Sequence, residues 1–143
     1  PAPPAAAPVV KKVVKKVDGG RAEVRAVSAQ ADDMGLYEFD QQVAGESHYQ
    51  KALAKAVGRK RDKDGSYWRG VAEIRHDRKN KHDKWAVGVY IESRLVGYLP
   101  ASAGNKRIVE ELRRGSRTVP ARIKGGFKME DGSRAYYGVE LAL

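Results

Sequence analysis

Between Tyr67 and His76, side chains alternate between two faces. In YWRGVAEIRH, Trp68, Gly70, Ala72 and Ile74 stand against Arg69, Val71, Glu73 and Arg75. A period of two puts the first set on one face of a pleated strand, so this segment predicts a half-buried strand. WAVGVYI, from Trp85 to Ile91, predicts its partner, and ESR turns that strand into LVGYL.

The flanks complete it. LYEFDQQVAGE suggests a strand ending at Gly45, where a domain proper begins at Leu36. Ser47 is the expected N-cap of a helix whose Tyr49, Leu53, Ala56 and Val57 recur at helical spacing and which closes at Gly58. RKRDKDGS is a polar turn and DRKNKHDK a connecting loop. After Pro100, SAGNKRIVEELRRG offers Ile108, Val109 and Leu112 on one helical face and stops at Gly115. RTVPARIKGGF and RAYYGVELAL predict two closing strands joined by MEDGS. Short strands, two short helices and glycine-rich turns predict a mainly β fold, a small OB-like β-barrel.

Residues 1–35 read differently, as a flexible Pro/Ala/Val/Lys tail with possible extra strands, leaving 36–143 as the barrel domain. PAPPAAAP is a semi-rigid spacer. A chain that opens on such a spacer without Met is expected to have been cut from something longer. In VVKKVVKKV, Val9, Val13 and Val17 fit one helix face, while their β-branching favours a strand; both readings stand. DGG is a turn, RAEVRAVSAQ alternates as a strand does, and ADDMG reads as a loop.

Charge narrows the function. A net charge of +10 predicts attraction to polyanions, nucleic acid first and acidic lipid or protein second. With no cysteine there are no disulfides or thiolate metal sites. No apolar run reaches the ~20 residues of a membrane span, and nothing resembles a signal peptide. A soluble cytoplasmic protein is the expectation, associated with the nucleoid if it binds DNA.

Three constellations bear on chemistry. His76–Asp77 and His82–Asp83 look like a metal cluster, but no further ligand is evident and the flanking cations oppose one. A solvated charged loop is the plainer reading, and neither metal nor other cofactor is expected. Ser47 and His48 suggest a nucleophilic triad only on paper, since neighbours in sequence rarely face each other, and no phosphate-cradling Gly-rich motif occurs. No enzymatic activity is expected. The third is aromatic residues interleaved with 28 Lys and Arg. Cations neutralise phosphates, and exposed aromatic faces stack on unpaired bases. Trp68 and Trp85 are expected in the core, whereas His48 and Tyr49, where a strand meets a helix, are placed to face a ligand.

The order VAGESHYQKAL, a strand, DRKNKHDKWAVGVYI, then LVGYLP and a helix resembles the HIRAN domain. The resemblance runs from Val43 to the C-terminus and leaves the tail outside. Its most specific part is N-x-[HY]-D-x-x-A-[VI]-x-V, here Asn80 to Val89, followed by V-G-Y-L. HIRAN domains occur fused to DNA-translocating ATPases that remodel damaged forks, and as small bacterial proteins. The resemblance implies an OB-like barrel that captures the 3′ end of single-stranded DNA.

Carried over by position, His48 and Tyr49 become the pair stacking on terminal bases, and Ser47 stands where fork-remodelling members have a basic residue. Asn80 and Asp83 line the pocket, Asp83 receiving the terminal 3′-hydroxyl. Tyr98 becomes a wall residue and Tyr136 a late aromatic. Arg75, Arg78, Lys79, Lys81 and Lys84 then hold the preceding phosphates, and a 3′-phosphate would meet like charge at Asp83. Asp83 can instead serve the loop, capping it and holding Asn80. Lys81 and Lys84 stand where the family usually has proline. Trp85 replaces a small polar residue, adding a stacking face or covering the core.

The expected function is a non-enzymatic nucleic-acid-binding module for single-stranded DNA or its 3′ end, with a place in DNA repair. One alternative is a protein-interaction or adaptor domain whose residues 9–17 dock a partner, fused or associated through the tail. The other is a metal-dependent nuclease built on His76, Asp77, His82 and Asp83. No membrane partner is expected.

Overall fold

The structure is a computed structural model and describes Tyr37 to Leu143. The readings of residues 9–17, 18–20 and 21–30 lie outside the described residues.

Among the described residues, eight strands and two helices follow one another: β1 Gln41–Gln42, a 3-10 turn Glu46–His48, α1 Gln50–Val57, β2 Arg61–Asp62, β3 Gly65–Ser66 and β4 Arg69–His76. Then come β5 Val87–Ile91, β6 Arg94–Tyr98, α2 Asn105–Glu111, a 3-10 turn Leu112–Arg114, β7 Arg117–Gly125 and β8 Tyr137–Leu141. Six strands form one antiparallel sheet in the order β1-β8-β7-β4-β5-β6, and β2-β3 is a separate hairpin.

The sheet curls until its ends meet. Beyond β1, the Val43 N–H donates to Val139 O (3.1 Å), while Ala44 and Tyr98 exchange main-chain bonds of 2.8 and 2.9 Å. The same short segment therefore pairs with β8 on one side and β6 on the other. Gly97 permits the closure, because a Cβ there would stand 2.4 Å from Val43 Cγ1 and 2.7 Å from Ala44 O. The result is the mainly β, small OB-like barrel with two short helices.

The alternation seen in the sequence sets the core. Ala72 and Ile74, Val87, Val89 and Ile91, Val119, Ala121 and Ile123, and Val139 and Leu141 point inward and are buried. Register places Ile74 opposite Val89, Ala72 opposite Val119 and Ile123 opposite Val139, so apolar pairs stack strand to strand. Leu53 and Val57 of α1 and Val109 and Leu112 of the second helical segment complete the same cluster. Each such side chain contributes about 1.5–3 kcal/mol by leaving water.

Past β1, side chains stand in for the missing strand partner of β8. Glu46 Oε2 accepts the Val139 N–H (3.1 Å). Gln50 accepts the Tyr137 N–H (2.8 Å) and donates to its carbonyl (2.9 Å). These three bonds seat the 3-10 turn and α1 on the barrel. On β7 and β8, Glu140 takes bonds from Arg122 (2.7 Å) and Lys124 (2.8 Å). Burial alone would raise its carboxyl, but these two cations outweigh it and hold it below the ordinary range.

Ser47 does not cap α1. It lies inside the 3-10 turn, and Tyr49 occupies the N-cap position with no side-chain cap bond. Once Glu46 and Gln50 are tied to β8, the chain enters the helix two residues later than a serine cap would place it. At the other end Gly58 closes α1 as expected, with φ 55° and its N–H on Ala54 O.

Candidate nucleic-acid interface

The basic loop from Asp77 to Ala86 joins β4 to β5 and organises itself around two polar side chains. Asn80 Oδ1 accepts the N–H groups of His82 and Asp83, each at 2.9 Å. Asp83 Oδ1 accepts the Trp85 N–H at 2.9 Å. Asp77 Oδ1 takes the Lys79 N–H (3.2 Å), and His76 Nε2 donates to the Lys84 carbonyl (2.8 Å). These are Asx-type turns, in which a short side chain replaces a main-chain partner.

The loop sorts its charges. Arg78, Lys79, Lys81 and Lys84 are exposed, while Asp77, Asn80 and Asp83 are half-buried. Among the described residues, no hydrogen bond reaches Asp83 Oδ2. The carboxylate is thus oriented through one oxygen, and the other takes no bond from a described residue.

Tyr98 binds the loop to the barrel seam. Its hydroxyl donates to Asp77 Oδ2 (2.8 Å), and its main chain pairs with Ala44, four residues before His48. Burial first, and then the Asp77 carboxylate, push its phenol up to about 12, with Tyr49 also opposing ionisation. His48 and Tyr49 meet edge to face, their centroids 6.4 Å apart at 78°. His48 is exposed and Tyr49 half-buried, so the pair forms a corner rather than a sandwich.

The site residues expected from sequence therefore separate. Asn80, Asp83, Lys79, Lys81, Lys84 and Arg78 share one loop, which Tyr98 connects to the His48–Tyr49 segment. Ser47 is exposed beside them. Tyr136 is 70% exposed at the head of β8, with no hydrogen bond or ring contact to the others. Arg75 is engaged on the sheet, bonded to Glu73 (2.7 Å) and stacked 4.0 Å over the Tyr90 ring. Asp77 was read only as a metal candidate; its role in holding Tyr98 arises from the fold and has no local sequence signal.

Among the described residues, no group of three or more His, Asp or Glu gathers to hold a metal ion. Nor is any described helix long and apolar enough to cross a membrane. Compared with known proteins, the chain matches no family model, no curated protein and no solved structure.

Proposed function

We propose that this chain is a non-enzymatic nucleic-acid-binding module of the HIRAN type it resembles, taking single-stranded DNA with the 3′-hydroxyl end at the Asp77–Ala86 loop. One observation carries the reading: the half-buried Asp83 is fixed through Oδ1, takes no bond from a described residue at Oδ2, and shares its loop with exposed Arg78, Lys79, Lys81 and Lys84. A carboxylate among phosphate-binding cations opposes a polyanion unless something donates to it. A terminal hydroxyl does so; a terminal phosphate repels it. The His48–Tyr49 corner supplies faces for unpaired bases, worth about 1–3 kcal/mol each.

The nuclease alternative draws less support, since among the described residues His76, Asp77, His82 and Asp83 do not gather into a group that could hold a metal ion. Fluorescence anisotropy tests the proposal with labelled single strands ending in 3′-hydroxyl or 3′-phosphate, beside a blunt duplex, at physiological salt. Preference for the free hydroxyl is the expected outcome. Equal, weak binding to all three that vanishes with modest salt would sink it and turn the search toward protein partners.

A further inference from the structure

A cleft runs between the basic loop and the second helical segment. His76, Arg78, Trp85, Val109, Leu112 and Arg113 line a hollow of about 240 Å³. It adjoins another of about 280 Å³ that shares His76, Arg78 and Leu112 and extends to Gly115 and Ser116. Trp85 is half-buried at its wall. Lys84 Nζ and Lys106 Nζ lie 5.2 and 5.6 Å from the indole centroid. The lone carboxylate among the lining residues, Glu73, is already bonded by Arg75. Arg78 and Arg113 are exposed and form no ion pair or hydrogen bond with any described residue.

We propose that this cleft is a second contact for single-stranded nucleic acid, with phosphates on Arg78 and Arg113 and the strand passing against Trp85. The inference rests on the single-strand reading above and extends it from the chain end to the path that follows. Unpaired guanidinium forks fit phosphate oxygens in two-point contacts. An indole beside them accepts a sugar or base face. Both hollows fall below the ~300 Å³ at which pockets enclose small ligands, so an open trough crossed by a strand is the better match. Continuity favours nucleic acid over another polyanion: Arg78 precedes Lys79 in the loop that also carries Asn80 and Asp83.

Strand length separates the two contacts. Labelled DNA strands of about 4 and about 16 nucleotides, spanning the site sizes of OB-type domains, are titrated against the full chain and an Arg113→Ala variant, whose altered residue lies outside the basic loop. The short strand is expected to bind both proteins equally. The long one should bind the variant at least tenfold more weakly, with a salt slope lower by about 0.7 per lost contact. Quenching of tryptophan fluorescence by the long strand should disappear in Trp85→Phe, because the remaining tryptophan, Trp68, is buried. A variant that holds both lengths as the original does, or loses both alike, overturns the cleft contact and leaves the end pocket standing. Failure of the unaltered chain to bind either length overturns the single-strand reading itself, and the cleft with it.

Discussion

The Tyr98 hydroxyl donates a 2.8 Å hydrogen bond to Asp77 Oδ2, joining the last residue of β6 to the first of the basic loop. Because Tyr98 also pairs through its main chain with Ala44, one residue connects the barrel seam, the loop and the segment leading to His48. Any ligand spanning His48 and the loop depends on that connection.

Its removal should register as pH dependence. The phenol of Tyr98 is raised to about 12, by burial first and by Asp77 second. The folded state therefore favours the protonated form. This stabilisation is complete below the ordinary tyrosine value of about 10 and is lost as pH rises from there to about 12. A spectrophotometric titration should show one late phenolate step that is missing in Tyr98→Phe. The variant should also lose about 1 kcal/mol in denaturant unfolding, the worth of one hydrogen bond. An unchanged set of steps would remove Tyr98 as the anchor.

Asp83 is best tested by Asp83→Asn rather than by alanine. The side-chain carbonyl of asparagine can still accept the Trp85 N–H, whereas alanine would release the loop. Asp83→Asn should keep the thermal midpoint near that of the unaltered chain, yet narrow the preference for 3′-hydroxyl over 3′-phosphate ends by about tenfold, as expected for one charge-assisted contact. Full discrimination in a stable variant would leave Asp83 a loop residue only.

The β5–β6 turn offers a purely structural test. Glu92 and Ser93 both have positive φ, 52° and 68°, and link paired residues Ile91 and Arg94. This is the conformation of a two-residue hairpin that favours Asn-Gly, and neither residue suits it. Replacing Glu92 by Asn and Ser93 by Gly should stabilise the chain by roughly 0.5–1 kcal/mol in denaturant unfolding.

That turn also marks what the sequence made legible. Alternation announced β4, the apolar runs WAVGVYI and LVGYL announced β5 and β6, and ESR was read as a turn, although its left-handed residues carry no glycine to signal them. The end of α1 at Gly58 and the late hairpin were visible for the same reason: local chemistry determines them. What stayed hidden was non-local. Glu46 and Gln50 look like ordinary helix-entry residues until β8, nearly the length of the domain away, presents the N–H groups of Tyr137 and Val139. Their demand, rather than capping propensity, decides where α1 starts and leaves Ser47 uncommitted. Likewise, the chain shows Arg75 in a run of cations, and only the sheet places it on Glu73 and Tyr90. Arg113 and Lys106 approach Trp85 through a separate helical segment, so no spacing within the basic loop could have announced them.

The fate of Arg75 yields the last prediction, because it separates cations by their neighbours rather than by their charge. Lys79 and Lys81 are exposed and form no ion pair among the described residues, so their ammonium groups can release counterions on meeting phosphate. Arg75 is already bonded to Glu73, whose carboxyl burial would raise but which Arg75 and Ser116 hold below the ordinary range. Using Arg75 on DNA would break that pair and its stacking on Tyr90. In salt titrations of single-strand affinity, Lys79→Ala and Lys81→Ala should each lower the slope by about 0.7 and weaken binding across all sequences. Arg75→Gln should leave slope and affinity unchanged while reducing stability by no more than about 1 kcal/mol, as for a largely exposed pair. A slope that falls as far in Arg75→Gln as in Lys79→Ala would mean that the strand crosses the β4 surface instead of the loop.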